Sequence, residues 1–112
     1  MFAAAVASLV LASAFLVEED RPYVVTAIDY HFHDAHPTLP IGPRRDLIVR
    51  NQGRNLHNVT IPALGFSRDV PPGGQVVIGS IADRLAPGRY ELFCRIHLKA
   101  FGMKGVIVIA SE

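Results

Sequence analysis

From Tyr23 to the C-terminus, glycine and proline cut the chain into short β-branched and aromatic runs, and this punctuation constrains the fold more than any other feature. YVVTAID (23–29) follows Pro22, and DLIVRN (46–51) follows the breaker-rich PTLPIGPRR. HNVTI (57–61) ends at Pro62, QVVIGSI (75–81) follows PPGG, RYELFC (89–94) follows APG, and GVIVIA (105–110) closes the series. Branched side chains are stiff at χ1 and pack well on a pleated surface, whereas Gly and Pro supply the backbone angles of turns. No segment after residue 20 has the 3.6-residue apolar period of a helix, although 82–86 and 97–103 each fit a single turn. The expected fold is therefore all-β, an antiparallel Greek-key sandwich or barrel. A chain of 112 residues makes one such domain, assigned here to 22–112.

The opening residues are different. MFAAAVASLVLASAFLV (1–17) carries no charged side chain. As a helix it would be roughly 25 Å long, short of the ~30 Å hydrocarbon core of a bilayer. Ala12–Ser13–Ala14 fits a small-residue cleavage site, but no Lys or Arg precedes the run. Residues 1–17 are expected to be a signal peptide or a membrane anchor, so the domain is expected outside the cytoplasm, touching a membrane only through an uncleaved N-terminus. A formal net charge of +1 argues neither for nor against nucleic acid, and no nucleic-acid partner is expected.

The chemistry is concentrated in YELFCRIHLKAFGMKG (90–105). Cys94 is the only cysteine, His97 lies three positions on, and Met103 is the only methionine besides the first residue. A single thiol forms no internal disulfide, so in an exported chain it needs another explanation. Of the five histidines, His57 stands at the start of a predicted strand, 37 residues before Cys94 (94 − 57 = 37). A Greek-key sandwich can carry two such distant loops to one end. A thiolate and two imidazoles in a trigonal set, with a weak axial thioether, is the donor set of a blue-copper electron-transfer centre. Taken singly, Cys94 fits a small core hydrophobe, His57 a strand terminus and Met103 a core filler; their joint spacing argues against coincidence.

The stretch APGRYELFCRIHLKAFGMKGVIVI resembles the C-terminal signature of small cupredoxins of the plastocyanin type. There, Pro-Gly-x-Tyr leads a strand into Cys, then His, then Met-x-Gly and a last β-branched strand. NQGRNLHN is similar to the family's upstream segment, an Asn at a strand end followed by His-Asn, and VPPGG to its middle turn. The resemblance spans roughly residues 22–110. It implies one type 1 copper ion, with His57, Cys94 and His97 as equatorial ligands and Met103 as the axial one. It also implies that Asn58 ties the two ligand loops together near Cys94 and that Tyr90 is the tyrosine-corner residue. Five residues separate His97 from Met103, more than plastocyanin-like loops usually have.

Competing chemistries fit less well. Structural zinc usually takes more than one Cys, and a Cys/His hydrolase needs a cleft that a sandwich of this size hardly offers. A multicopper oxidase domain needs histidines beside the Cys, where this chain has Phe93 and Arg95; a binuclear copper centre needs a second Cys. The remaining histidines fall in DYHFHDAHP (29–37). His31, His33 and His36 are candidates for a secondary Cu(II) or Zn(II) site. The simpler reading is a polar strand edge whose Tyr30 and Phe32 face the core.

The expected protein is a monomeric cupredoxin and not an enzyme. It carries single electrons between redox partner proteins through Cu(I)/Cu(II), with His97 as a surface exit among Leu98, Phe101, Leu64 and Phe66. The alternative is an extracytoplasmic protein that binds and delivers copper without redox turnover. Segments 50–68 and 94–104 hold Arg50, Arg54, Arg68, Arg95, Lys99 and Lys104 and no Asp or Glu, so an acidic partner is expected.

Overall fold

A computed structural model of the chain describes residues 22–35, 38–39 and 45–110. The proposed signal or anchor segment, residues 1–17, lies outside them, as does His36. Among the described residues no helix is long and apolar enough to cross a membrane.

Among the described residues, nine strands form two sheets. They are β1 (Tyr23–Ile28), β2 (His31–His33), β3 (Thr38–Leu39), β4 (Asp46–Asn51), β5 (His57–Ile61), β6 (Phe66–Val70), β7 (Gln75–Ser80), β8 (Gly88–Phe93) and β9 (Lys104–Ile109). One sheet runs β2-β1-β4-β7 and the other β3-β9-β8-β5-β6. All six runs read from the sequence are strands, with ends shifted by no more than a residue. The turns expected at 82–86 and 97–103 are a 3-10 turn at Ile81–Asp83 and a single helical turn, α1 (Leu98–Phe101).

Two pairings are not antiparallel. Strand β1 pairs parallel with β4, and β3 pairs parallel with β9. The chain leaves β1 through the β2 hairpin and crosses to the other sheet as β3 before returning as β4, so β4 re-enters in the direction of β1. Such long-range pairing leaves no mark in local sequence.

Period-two alternation directs the core. Val25 and Ala27 of β1, Phe32 of β2, Leu47 and Val49 of β4, and Val76 and Ile78 of β7 are buried in the first sheet. Val59 and Ile61 of β5, Leu92 of β8, and Ile107 and Ile109 of β9 are buried in the second. A fully buried Val, Leu or Ile contributes about 1.5–3 kcal/mol, so these faces hold the sheets together. Gly105 on β9 is required by close packing, because a Cβ there would collide with Ala35. The Tyr90 hydroxyl donates to the Ala86 carbonyl at 2.6 Å, fastening the entry to β8 as the tyrosine corner implies.

This topology positions the candidate site. Strand β5 begins with His57, and β8 runs antiparallel to it and ends at Phe93, directly before Cys94; Thr60 pairs with Phe93. Strand β9 starts at Lys104, directly after Met103. The start of β5, the end of β8 and the start of β9 therefore meet at one end of the sandwich.

Candidate metal centre

The loop that delivers His57 is tied down by Asn51, the last residue of β4. Its Nδ2 donates to the carbonyls of Asn55 (2.7 Å) and Val70 (2.8 Å), and its Oδ1 accepts the Gly53 N–H at 2.9 Å. His57 follows in register with Val70 and is 0% exposed.

The second loop closes on itself. The Cys94 N–H donates to the Met103 carbonyl at 3.0 Å, and the His97 N–H donates to the Cys94 carbonyl at 3.2 Å. The five residues between His97 and Met103 are taken up by α1 and by Gly102, whose left-handed φ of 66° ends that turn. At this position a side chain would be strained. The extra loop length is thus coiled into a helical turn, and Met103 returns buried, 1% exposed, next to the ligand loop.

The donor atoms of His57, Cys94 and His97 lie within 4.8 Å of one another, and Cys94 Sγ is 3.5 Å from His97 Nδ1. A metal held by sulfur at ~2.3 Å and imidazole nitrogen at ~2.0 Å, with ~120° between them, sets the two donors about 3.7 Å apart. The spacing fits such an ion. So does an imbalance in polar bonding: His57 Nδ1 and Nε2 are both buried and have no hydrogen-bond partner. A buried polar atom without a partner costs about 1–3 kcal/mol, and a metal bond at one nitrogen removes that cost. Burial holds the His57 pKa below its usual 6.5, helped by the nearby His97 imidazole and opposed by Asp29. A lowered pKa keeps the imidazole neutral, the form that binds metal.

Asn58 connects the two loops. Its backbone N–H donates to Cys94 Sγ at 3.3 Å, and its Oδ1 accepts the Arg95 N–H at 3.1 Å. Its Nδ2 donates to Asp69 Oδ1 at 2.9 Å and Ser67 Oγ at 3.3 Å, while Thr60 Oγ1 donates to its Oδ1 at 2.6 Å.

Two features differ from the sequence reading. Tyr30 does not enter the core beside Phe32. With Asp29 at a left-handed φ of 52°, the β1–β2 turn instead lays Tyr30 flat on Phe101, ring centroids 3.7 Å apart and planes 6° from parallel. Both rings present edges to His97, at 5.1 Å and 5.9 Å. The half-buried His97 is thus flanked by Tyr30 as well as by the expected Phe101. The charge pattern also changes: Asp69, one residue beyond the acid-free segment, forms an ion pair with Arg95 at 3.1 Å, and Asp29 acts on His57. His31 and His33 share strand β2 and are not part of the His57–Cys94–His97 group.

The family described as the cupredoxin-like domain matches residues 1–109. No curated protein shows a significant match to the chain. Among solved structures, dithionite-reduced auracyanin from the photosynthetic bacterium Roseiflexus castenholzii superposes with a TM-score of 0.65 at 20% identity, covering 80% of this chain and 97% of that one. An oxidised single-residue variant of amicyanin gives 0.63 at 17%, covering 79% and 81%. The Cu(I)-bound metal-binding domain of the Cu(I)-exporting P-type ATPase CopA of Streptococcus pneumoniae gives 0.63 at 16%, covering 81% and 85%. At these identities the structural likenesses speak to the fold. Together the two sheets and the site define a protein of the cupredoxin class, with one copper ion as the metal that its sulfur and imidazole donors fit. The chain belongs to the cupredoxin-like family.

Proposed function

We propose that this protein is a type 1 copper electron carrier in which His57, Cys94 and His97 are the equatorial ligands and Met103 the axial one. The observation that carries the reading is the fully buried His57, both ring nitrogens without partners, within 4.8 Å of a buried thiol and a second imidazole. A bound copper would supply the one-electron Cu(I)/Cu(II) couple. The protein's own residues do the rest. Asn51 and Asn58 hold the His57 loop, and the Cys94–Met103 backbone bond holds the other. Donors held in place in both oxidation states keep rearrangement small, and with it the barrier to transfer. Cys94 and His57 are sealed from solvent, so the half-buried His97, beside Tyr30 and Phe101, is the route out.

The same reading includes an extracytoplasmic location, supported by the uncharged apolar run 1–17, and no reaction on a substrate. It also includes an acidic redox partner. Lys99 is the better probe of that partner, because Arg95 is already paired with Asp69. Delivery of copper without redox turnover is the other use of such a site. It is less well supported, because an acceptor's ligand cannot reach a thiol that is 0% exposed without opening the loop.

Stopped-flow reduction of the copper-loaded protein by an acidic and by a basic cytochrome, across a salt series, tests the proposal. The account expects transfer that retains copper, and rates with the acidic donor that fall as salt shortens the Debye length from ~10 Å at 0.1 M. Lys99→Glu should slow association more than Arg89→Glu, since Arg89 lies five residues before Cys94 along β8, roughly 17 Å away. Copper passing to an acceptor chelator faster than electrons pass to either cytochrome would favour delivery instead.

A further inference from the structure

Among the described residues, two histidines, His31 and His33, lie outside the candidate copper centre. His31 and His33 alternate with the buried Phe32 on β2, the edge strand of the first sheet, so both stand on its outer face and both are exposed. They are in register with Ile28 and Thr26 of β1. Their rings face each other with centroids 6.4 Å apart and planes at 72°. Apart from this ring contact, neither ring is engaged by another group among the described residues.

We propose that His31 and His33 form a second metal site, an open two-histidine chelate for Cu(II) on the outer face of the first sheet. Residues i and i+2 of a strand point the same way, with Cα atoms roughly 6.7 Å apart, and a strand is a stiff support. A metal 2.0–2.1 Å from an imidazole nitrogen lies roughly 3.2 Å from that ring's centre, so two rings sharing an ion have centroids no more than ~6.4 Å apart. The observed separation sits at that limit. That limit is the linear case; two nitrogens meeting an ion at about 90° put the centroids roughly 4.5 Å apart, which rotation of the two exposed side chains about χ1 and χ2 would supply. Two borderline nitrogen donors with water in the other positions suit Cu(II) best among the common divalent ions, with Zn(II) weaker. The strand register opposes no cation to the pair directly. Arg50 pairs with Thr26 from the far side, two strand spacings or roughly 10 Å from β2, and is tied to Gln75 Oε1 at 3.0 Å.

The site differs from the copper centre in every respect that governs use. It has no sulfur, it is open to solvent, and its strand is at a sheet edge. Such a chelate exchanges its metal with the medium, whereas the buried centre holds its metal. Its chemistry is capture of a divalent ion at the surface of a copper protein.

The test is titration of the copper-loaded full chain with a further equivalent of Cu(II), followed by electron paramagnetic resonance, with Zn(II) as competitor. A second imidazole on the same strand makes the second bond intramolecular, typically worth 10²-fold or more. The wild-type protein is therefore expected to give a second, axial Cu(II) signal with nitrogen couplings. His31→Ala and His33→Ala should each weaken it about 100-fold. Zn(II) should displace it only in excess. Both substitutions are at exposed positions and should leave the thiolate–copper absorption unchanged, so that band reports the first site independently. If both variants take up the second Cu(II) as tightly as the wild type, or the wild type binds it only as weakly as they do, the proposal is wrong.

Discussion

Replacing Asn58 by alanine tests how the two ligand loops are joined. The backbone N–H to Cys94 Sγ stays in the chain, but four side-chain bonds are lost: those from Arg95 N and Thr60 Oγ1, and those to Asp69 and Ser67. A protein hydrogen bond contributes about 1 kcal/mol net, and a group left buried without a partner costs about 1–3 kcal/mol. Thr60, Ser67 and Asp69 are half-exposed or exposed, so water replaces much of what they lose. The Arg95 N–H, next to the buried Cys94, is the group at risk. The sum is about 2–3 kcal/mol, or a Tm lower by about 10–15 °C for a domain of this size. The measurement belongs on copper-free protein, because a ligand bound only by the folded state adds its own stability. Urea unfolding of the two apo proteins gives the difference directly. Ser67→Ala, which removes only outlying bonds, should cost less than about 1 kcal/mol. With copper restored, Asn58→Ala should keep the metal but lose it faster to a chelator. A change within 0.5 kcal/mol, together with unchanged copper release, would show that Asn58 does not couple the loops.

Two further outcomes follow. If Met103 is the axial ligand, Met103→Leu should retain copper and raise the reduction potential, since a weak donor to the oxidised ion is removed; an unchanged potential and spectrum would make Met103 a packing residue. His57 has a folded pKa below its usual 6.5, so below that pH the unfolded chain binds more protons than the folded one. The stability of the apo protein should therefore be full above about pH 6.5 and decline as pH falls toward the folded pKa, a dependence that His57→Leu should flatten and that urea midpoints between pH 8 and 5 would reveal.

What was legible in the sequence follows from where its signals are local. The six apolar runs became strands because alternation and turn residues act over a few positions. Strand β6, FSRDV, was missed because only Val70 is buried and Ser67, Arg68 and Asp69 all face water. The parallel partners of β1 and β9 depend on which sheet each of β2, β3 and β4 joins, which no local pattern encodes. At the candidate site, spacing and resemblance name His57, Cys94, His97, Met103 and Asn58; the structure draws the donor atoms of the two histidines and Cys94 within 4.8 Å and bonds Asn58 to Cys94 and Arg95. Tyr30 was not readable, because its place over Phe101 depends on the left-handed turn at Asp29. Asp69 was overlooked by one position: it lies on β6, whose pairing with β5 brings it beside Asn58.

The central claim is that His57, Cys94 and His97 hold one copper ion through a thiolate. The visible spectrum of the purified protein titrated with Cu(II) tests it most directly. The account predicts an intense thiolate-to-copper charge-transfer band that saturates at one copper per chain and is abolished by Cys94→Ser, because a hydroxyl is neither soft nor deprotonated at neutral pH. A colourless copper complex of the wild-type protein, or a band that survives in Cys94→Ser, would contradict it.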